Sequence, residues 1–461
     1  MRKLNCVNNI KICAILLCNL IPWYCAAQIV SGPMLADVTY RTANIWVGLR
    51  PNSNLNCWVW PKGSIAQSTV VPKMLNTSYS ITTCTYTVEG LQPNTTYEYD
   101  ISAAKKPTKA IGTFTTKANW AYRATVPDVH FITGSCAYIN DTAVDRVYTD
   151  MVKLNKTAKP YGGNYNIFTT MAATNANMML WLGDNWYTRE VDWSSKYGLH
   201  YRPYAERQLP QLQPLLKAMP NYAIWDDHDY GPNDGDMSYV LASESRNVFQ
   251  RYWANPSYGN GSKGIYTKVT LADVEFFMLD DRTWRSNDAM NDSINGQPNA
   301  AKRMLGAEQM HWLKNALLQS QANFKIIVTG SQTLNPISPY DCMQDFPVEY
   351  NELMNFFNEE KITGLLFLTG DRHHTEVIKL ERPNTYPLYD VTVSPLTSGT
   401  HTFGGVEKNN TYRVLGIDEK QNFASVKVTG ALNDRVMTFA FIGVQGEQLG
   451  VWSVKANDLK K

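Results

Sequence analysis

The chain has 461 residues, of which 44% are hydrophobic, 12% aromatic and 18% charged. This composition excludes an intrinsically disordered chain, which would have few aromatic residues and a large net charge, and the length predicts two domains, or one large domain with a small one. The formal net charge is +2, so neither a nucleic-acid-binding surface nor polybasic attachment to a membrane is expected.

The first 27 residues have the pattern of a secretory signal peptide. Basic residues precede an apolar run over residues 12–24, and Ala26 and Ala27 follow it. The run is shorter than the roughly 20 residues that a membrane-spanning helix needs, and no later stretch is long and apolar enough to span. We therefore expect cleavage before Gln28 and an exported mature protein, in the periplasm or outside the cell.

Residues 28–118 are predicted to form a β-sandwich domain. Short segments with alternating polarity, such as 44–49 and 80–86, are separated by turn residues, which is typical of an immunoglobulin-type sandwich. Residues 90–99 resemble the strand-turn-strand corner of fibronectin type III domains, and a strand pair in another kind of β domain is the alternative. Cys57 and Cys84 lie in this domain, and a disulfide and two buried thiols are equally compatible with the sequence.

From residue 127 to residue 461 the pattern changes to that of a second domain with α/β layering. Short continuous apolar runs alternate with helical segments, as expected for buried strands covered by helices. A helix is predicted over residues 307–320, because Met310, Leu313 and Leu317 recur at helical spacing.

Six of the apolar runs in this second domain are followed by polar residues that bind metals or phosphate. The runs are residues 130–132, 178–182, 222–225, 276–279, 326–328 and 365–368. Ligands of open α/β sheets bind beyond the carboxyl ends of the strands. We therefore expect six strand ends in one sheet to converge on one crevice.

The polar residues at these ends predict a metal site rather than an acid–base pair. They combine carboxylates, imidazoles, a phenol and a thiol, and the Asp-Asp-His-Asp run at 226–229 would repel itself without bound cations. The alternative is that single aspartates cap helices. Zinc scaffolds are disfavoured, because no Cys-x-x-Cys or His-rich spacing is present. A thiol and a phenol favour iron, and the surplus of carboxylates favours calcium.

The order of these motifs resembles that of PhoD-like alkaline phosphatases and phosphodiesterases, a family of the calcineurin-like metallophosphoesterases. The resemblance covers roughly residues 128–400 and rests on five segments, which are Gly-Ser-Cys at 134–136, Gly-Asp-Asn-Trp-Tyr at 183–187, Trp-Asp-Asp-His-Asp at 225–229, Asp-Asp-Arg at 280–282 and Gly-Asp-Arg-His at 370–373. It implies a fibronectin-III-like sandwich followed by an α/β/β/α core, with iron and calcium at the crest of the sheets.

The resemblance also implies roles for individual residues. Cys136 would bind iron, Asp184 would bridge the ions and Tyr187 would add a phenolate ligand. The complete set of implied metal ligands is Cys136, Asp184, Tyr187, Asp227, Asn233, Asp371 and His373. Asp227 stands where the wider superfamily has Asn, and Asp229 where many members have Glu, which leaves the subfamily and the substrate open.

The expected reaction is the metal-dependent hydrolysis of a phosphate monoester or diester. Metal ions would activate a water or bridging oxygen and offset charge on the phosphate, while His228 would protonate or orient the leaving oxygen. Arg282 would bind the phosphate as a bidentate fork, or instead form a structural ion pair with Asp280 or Asp281. Two alternatives are a purple-acid-phosphatase-like monoesterase, whose Asp-x-His and Gly-His-x-His motifs are absent, and a non-catalytic exported binding protein.

Overall fold

The computed structural model describes residues 28–140 and 161–460. The predicted signal peptide, residues 1–27, lies outside the described residues. Among the helices in the described part of the chain, none combines the length and the apolar character that crossing a bilayer demands.

The first eight strands form two four-stranded antiparallel sheets that face each other. One sheet has the order β1-β2-β6-β5 and the other β4-β3-β7-β8. The strands are β1 (Ile29–Ala36), β2 (Ala43–Leu49), β3 (Asn56–Pro61), β4 (Thr69–Val71), β5 (Lys73–Ser78), β6 (Ile81–Val88), β7 (Thr96–Ser102) and β8 (Gly112–Thr115). Residues from both sheets, among them Val47, Val59 and Ile101, share one buried core, so this part of the chain is a β-sandwich.

The predicted corner in this sandwich is formed by a tyrosine. The backbone N–H of Gln92 donates to the Tyr97 hydroxyl at 2.9 Å, across the turn between β6 and β7. This hydrogen bond ties the turn to the following strand, while the assignment to fibronectin type III remains a prediction. Cys57 and Cys84 are both buried free thiols, and burial raises the pKa of each.

The remaining strands build two larger sheets and one separate two-stranded sheet, which consists of β14 (Ser293–Ile294) and β15 (Gln297–Pro298). The first, six-stranded sheet has the order β11-β10-β9-β21-β22-β23, and the second, seven-stranded sheet the order β12-β13-β16-β17-β19-β18-β20. The strands are β9 (Val129–Gly134), β10 (Met178–Leu182), β11 (Asn221–Ile224), β12 (Thr267–Leu271), β13 (Val274–Met278), β14 (Ser293–Ile294), β15 (Gln297–Pro298), β16 (Phe324–Val328), β17 (Leu365–Thr369), β18 (Thr375–Leu380), β19 (Leu388–Thr392), β20 (Arg413–Ile417), β21 (Asn422–Thr429), β22 (Val436–Gly443) and β23 (Gln448–Lys455).

Seven α-helices lie in the described residues of this second region. They are α1 (Asn166–Ala172), α2 (Lys196–Glu206), α3 (Gln213–Ala218), α4 (Asp227–Tyr230), α5 (Ala242–Tyr252), α6 (Ala307–Gln319) and α7 (Pro347–Glu359). The predicted helix at 307–320 is confirmed as α6, and it buries Met310, Leu313 and Leu317.

The six predicted strands are all present, but the expectation that they share one sheet is wrong. The strands β9, β10 and β11 run parallel in the six-stranded sheet, whereas β13, β16 and β17 run parallel in the seven-stranded sheet. The two sheets share one hydrophobic core, in which Phe131 of β9 and Phe276 of β13 meet edge to face at 5.0 Å. Three carboxyl ends from each sheet therefore meet at one crest.

The sandwich packs directly against the second region. Trp46 of β2 is 1% exposed and belongs to the hydrophobic core of the larger region. Its indole N–H donates to the Arg251 carbonyl at 2.8 Å, and the Arg207 guanidinium lies 4.9 Å from its ring centroid. Because a cation over an indole face adds to apolar burial, these contacts join the two regions tightly.

Candidate metal centre

Glycines allow the strand ends of the two sheets to approach closely at the crest. A Cβ at Gly370, after β17, would lie 2.7 Å from both the Leu182 carbonyl oxygen and the Ser135 Cβ of the other sheet. Gly183, after β10, has a φ of +91° and leaves no space for a side chain next to Asp226. Any larger residue would push the sheets apart, so the crest is built to bring their ends together.

Cys136, Asp184, Tyr187 and His373 meet at this crest. One ligand atom each from Cys136, Asp184 and His373 lies within 4.8 Å of the others, and the Cys136 Sγ is 3.5 Å from the Asp184 Oδ2. The Tyr187 hydroxyl donates to the same Asp184 oxygen at 3.0 Å and lies 3.3 Å from the His373 Nε2. The structure thus brings together four residues that were predicted to bind metal, from three separate segments of the chain.

Asp184 takes part in two further clusters of possible ligands. One contains Asp227 and His228, and the other contains Asp226 and Asp371, again with ligand atoms within 4.8 Å of one another. Asp184 is the member common to all three clusters that surround the crest. This is the position that a carboxylate bridging neighbouring ions would occupy.

The carboxyl groups at the crest are held in an environment that disfavours their charge. Burial, followed by the nearby Cys136 and Asp227, raises the pKa of Asp184 well above its ordinary value. Burial likewise raises the pKa of Asp229 to about 8 and, together with the Asp341 carboxylate, that of Asp371 to about 8. A bound cation would reverse these shifts, because it stabilises the ionised carboxylates.

The environment of the crest also disfavours the charged forms of the Cys136 thiol and the Tyr187 phenol. Burial, and then the Asp371 carboxylate, raises the pKa of Cys136 to about 12, and burial with Asp184 raises the pKa of Tyr187. The Ser394 hydroxyl lies 3.1 Å from the Cys136 sulfur and also accepts from the backbone N–H of His373 at 3.0 Å. Thiolate and phenolate therefore require a strongly attracting cation to form here.

Asp227 and His228 lie on the short helix α4, directly after β11. The backbone N–H groups of His228 and Asp234 donate to the two Asp227 oxygens at 2.8 and 2.7 Å. Burial opposes ionisation, but a protonated His228, the Arg282 guanidinium and the hydrogen bond from the Asp234 backbone lower the pKa of Asp227. Asp227 can thus bind a cation without first losing a proton.

Several buried polar atoms at the crest have no hydrogen-bonding partner among the described residues, and the Asp226 Oδ2 and the His228 Nδ1 are two of them. Buried polar atoms are nearly always paired, so these atoms favour a bound cation or water. Together with the mixed carboxylate, imidazole, thiol and phenol donors, they fit the iron and calcium that the sequence predicts.

Arg282 is held by carboxylates at the edge of the crest. Its Nε donates to the Asp226 Oδ1 at 2.7 Å, and its Nη2 contacts the same oxygen and lies 3.4 Å from the Asp341 Oδ2. The expected pairing with Asp280 is wrong, because the Asp280 side chain instead accepts from the Trp225 indole and from backbone N–H groups. A weaker contact of 4.0 Å joins Arg282 to Asp281. The structural ion pair is therefore present, with Asp226 as its main partner.

Asn233 lies next to the crest but its side chain is exposed and forms no hydrogen bond to another described residue. Its neighbour Asp234 contacts Asp227 through the backbone only. The role of Asn233 as a metal ligand therefore stays a prediction.

Sequence reasoning missed two groups that complete the centre. Ser394 follows the apolar end of β19, so the same signal of an apolar run with a polar residue after it would have found it. Asp341 lies in a loop without such a signal, and only the fold brings its carboxylate within 2.6 Å of the Arg285 Nη2.

Comparisons with known proteins agree with this geometry. The sequence profile of the PhoD-like phosphatase family matches residues 153–435. Alkaline phosphatase D of Bacillus subtilis (strain 168) is 24% identical over 328 residues, which are 62% of this chain and 52% of that protein. The chain thus spans about half the length of this relative.

A solved structure described as the structure of PhoD has the same fold. It superposes with a TM-score of 0.68 at 18% sequence identity, and the match covers 93% of this chain and 89% of that one. The likeness extends over both the sandwich and the two larger sheets.

Proposed function

The chain belongs to the PhoD-like phosphatase family, and on that premise we propose that it is a metal-dependent hydrolase of phosphate esters. The observation that carries the proposal is the position of Asp184, which is shared by three clusters of possible metal ligands at the crest. A carboxylate in this position is suited to hold two or more ions at a spacing that one phosphate group can bridge.

The donor atoms around Asp184 include a softer and a harder set. Cys136, Tyr187 and His373 supply sulfur, phenol oxygen and imidazole nitrogen next to Asp184, a set that favours iron. Asp227 and Asp371 supply carboxylates in the two other clusters that contain Asp184, and oxygen ligands favour calcium. When bound, such ions would lower the pKa of a water molecule and offset the charge of the phosphate.

His228 is placed to act on the leaving oxygen. Its ring packs against Tyr187 with 4.2 Å between the centroids, which fixes its orientation. Burial lowers the pKa of His228 although the Asp227 carboxylate opposes this, so the neutral imidazole prevails around neutral pH. A neutral imidazole still carries one N–H, which would donate a hydrogen bond to the leaving oxygen and orient it, whereas protonation of that oxygen by His228 would require the imidazolium form.

Arg282 supports the centre through Asp226 in this proposal. Its Nε and Nη2 are engaged by carboxylates, and its Nη1 is buried without a partner among the described residues. The guanidinium therefore fixes the Asp226 carboxylate and adds positive charge beside the phosphate position. It does not have two free nitrogens with which to bind a phosphate in a bidentate way.

The experiment that tests the proposed function measures the hydrolysis of p-nitrophenyl phosphate and of its bis ester, before and after removal of metal by a chelator. We expect turnover of at least one ester that chelation abolishes and added metal restores. The preferred ester identifies the protein as a monoesterase or a diesterase.

A matched pair of variants shows whether the crest carries this activity. Asp184→Asn should lower kcat by at least about 100-fold, because it removes a charge that several ions share. Asp434→Asn, on an exposed loop, should leave turnover unchanged. Equal activity of the two variants, or turnover that resists chelation in the wild type, would refute the proposal.

We propose in addition that the protein is exported. The support is the basic, apolar and small-residue order of residues 1–27. N-terminal sequencing of the protein recovered outside the cytoplasm should begin at Gln28. An uncut chain retained in the cytoplasm would contradict the proposal.

A further inference from the structure

A second group of possible metal ligands lies apart from the three clusters at the crest. One ring nitrogen of His374, one of His401 and a carboxylate oxygen of Glu407 lie within 4.8 Å of one another. His374 precedes β18, whereas Glu407 lies in a short helical turn at Gly405–Asn409. None of the three was assigned a role in hydrolysis.

The His374 side chain has unsatisfied polar atoms in a fully buried position. It is 0% exposed, and neither its Nδ1 nor its Nε2 forms a hydrogen bond to a described residue. Its Nε2 lies 3.2 Å from the Glu376 Oε1. A buried imidazole with one nitrogen beside a carboxylate and the other free is the arrangement of a metal-binding histidine, in which the carboxylate orients the ring.

The carboxylates around this group are themselves fixed. The Arg413 Nε donates to the Glu376 Oε2 at 2.6 Å, and the Arg372 Nη2 donates to the Glu407 Oε1 at 2.5 Å. The remaining oxygen of Glu407 faces the His401 Nε2 at 2.6 Å. One oxygen of Glu407 and the two imidazoles are therefore directed toward a common point.

We propose that His374, His401 and Glu407 form a separate binding site for a divalent transition metal of the zinc type. Two imidazoles and one carboxylate are a common zinc ligand set with a fourth position open. Ligand atoms of a tetrahedral zinc ion lie roughly 3.3 Å apart, so only small side-chain rotations are needed. Neutral imidazoles favour zinc over calcium.

The site would have access to solvent and a connection to the crest. The His401 side chain is 26% exposed, which gives an ion a path to the buried His374. The backbone N–H of His401 donates to the His373 carbonyl at 2.8 Å, so a bound ion would fix this segment against a residue of the metal centre. The two arginines hold the carboxylates but also repel a cation, and binding should be weaker than at a site without neighbouring positive charge.

The test measures zinc bound per chain in the full-length protein that retains its resident metals, by elemental analysis after titration with Zn²⁺ and dialysis. Wild type should bind one zinc ion more than His401→Asn. His311→Asn, a change of an exposed histidine on α6, should bind as much zinc as wild type. Equal zinc content in His401→Asn and wild type would overturn the proposal.

A second variant and a second measurement keep the proposal open to refutation if His401→Asn folds poorly. Glu376→Gln should weaken zinc binding about 10–100-fold, since it removes the group that orients His374. Crystals soaked in Zn²⁺ and recorded at the zinc absorption edge should show an anomalous peak between the three side chains. Peaks at the crest alone, or no peak, would overturn it. These readouts do not involve phosphate hydrolysis, so they fail or succeed independently of the proposed function.

Discussion

Cys136, Asp184, Asp371 and His373 all have a left-handed backbone conformation, with φ between 52° and 63°. Residues other than glycine rarely adopt this conformation, which costs about 1–3 kcal/mol each. Four such residues at one crest indicate that the fold accepts strain in order to direct their side chains to one point. Bound cations would recover part of this cost by pairing with the ligands.

Arg282 provides a prediction that separates a structural role from a phosphate-binding role. Arg282→Lys keeps the charge but loses the two-nitrogen contact with the buried Asp226. We expect a loss of about 1.5–3 kcal/mol in the free energy of unfolding, measured by urea denaturation, with little change in KM.

The control for this prediction is Arg303→Lys, because that side chain is 35% exposed, and it forms only a long ion pair of 3.9 Å with Glu352 and one exposed hydrogen bond to the Ala300 carbonyl. It should change neither the free energy of unfolding nor KM. A large rise in KM for Arg282→Lys without a loss of stability would show instead that the guanidinium binds phosphate directly.

The raised pKa values of Asp229 and Asp371, both about 8, predict how the metal-free protein responds to pH. Between the ordinary carboxyl pKa and 8, the folded protein holds protons that the unfolded chain has released, so stability falls as pH rises. Above about pH 7 histidines with the ordinary pKa of about 6.5 are mostly neutral, so the fall between about pH 7 and 8 belongs mainly to the carboxyls. Each contributes about 1.4 kcal/mol per pH unit.

Urea denaturation of the chelated protein at several pH values between about 7 and 8 measures this fall. Asp229→Asn should lose one carboxyl's share of the slope, and metal-loaded protein should show little slope, because the ligands then hold cations rather than protons. A metal-free protein whose stability is flat or rises over this range would contradict the account.

At the scale of elements, the strands were predictable from the sequence but their arrangement was not. Runs such as Met178–Leu182 and Leu365–Thr369 are apolar along their whole length and became strands at nearly the predicted bounds, because local patterning determines burial on both faces. The division into two sheets depends on which strands pair with one another, and this pairing cannot be predicted from the local sequence pattern. Convergence of the ends was still predicted correctly, since parallel strands of both sheets point to the same crest.

The side chains of the site were likewise predictable only where local sequence determines their position. Residues directly after strands, such as Cys136 and Asp184, were found by their position in the sequence. Asp341 lies in a loop and contacts the Arg285 guanidinium at 2.6 Å only in the folded chain. Because Asp341 follows no strand, the local pattern gives no sign of it and it was not predicted. Asp226 does lie in the predicted run at 226–229, but its pairing with Arg282 depends on how the two sheets pack, which the local sequence does not determine.

Gly330, after β16, tests how closely the elements must approach at the crest. A Cβ at this position would lie 2.5 Å from the Asp226 Cγ, whose carboxylate cannot move without breaking its contact with Arg282. Gly330→Ala should therefore lower the free energy of unfolding by about 1–3 kcal/mol and reduce turnover, as measured by denaturation and by ester hydrolysis.

Gly404→Ala is the matched control, because its Cβ would meet only the Thr402 oxygen, at 3.8 Å. This variant should match wild type in the free energy of unfolding and in the rate of ester hydrolysis. If Gly330→Ala matched that behaviour, the close approach of the strand ends would not constrain the crest.

At the scale of the whole molecule, the sandwich and the larger region share apolar surface. Met34 and Trp46 of the sandwich lie in the core of the larger region, and the Ser31 hydroxyl donates to the Arg207 carbonyl at 2.7 Å. We therefore expect the two regions to unfold together rather than as independent domains, since their shared core is lost in one step.

Trp46→Ala should lower the free energy of unfolding by about 3–5 kcal/mol, as expected for removal of a buried aromatic side chain, and should destabilise the metal-binding region. Calorimetry measures the unfolding of the variant, and the loss of ester hydrolysis on heating reports separately on the metal-binding region. Trp58→Ala, on β3 outside both hydrophobic cores, should have a smaller effect. Separate transitions, with hydrolysis retained after the sandwich unfolds, would show that the two regions are independent.

The most direct test of the account is the metal content per chain of wild type and Asp184→Asn, measured by elemental mass spectrometry on the purified proteins. Because the three crest clusters share Asp184, the account predicts more than one ion per chain in wild type and the loss of more than one in the variant. Equal metal content in both proteins, or no metal in the wild type after reconstitution with iron and calcium, would contradict it.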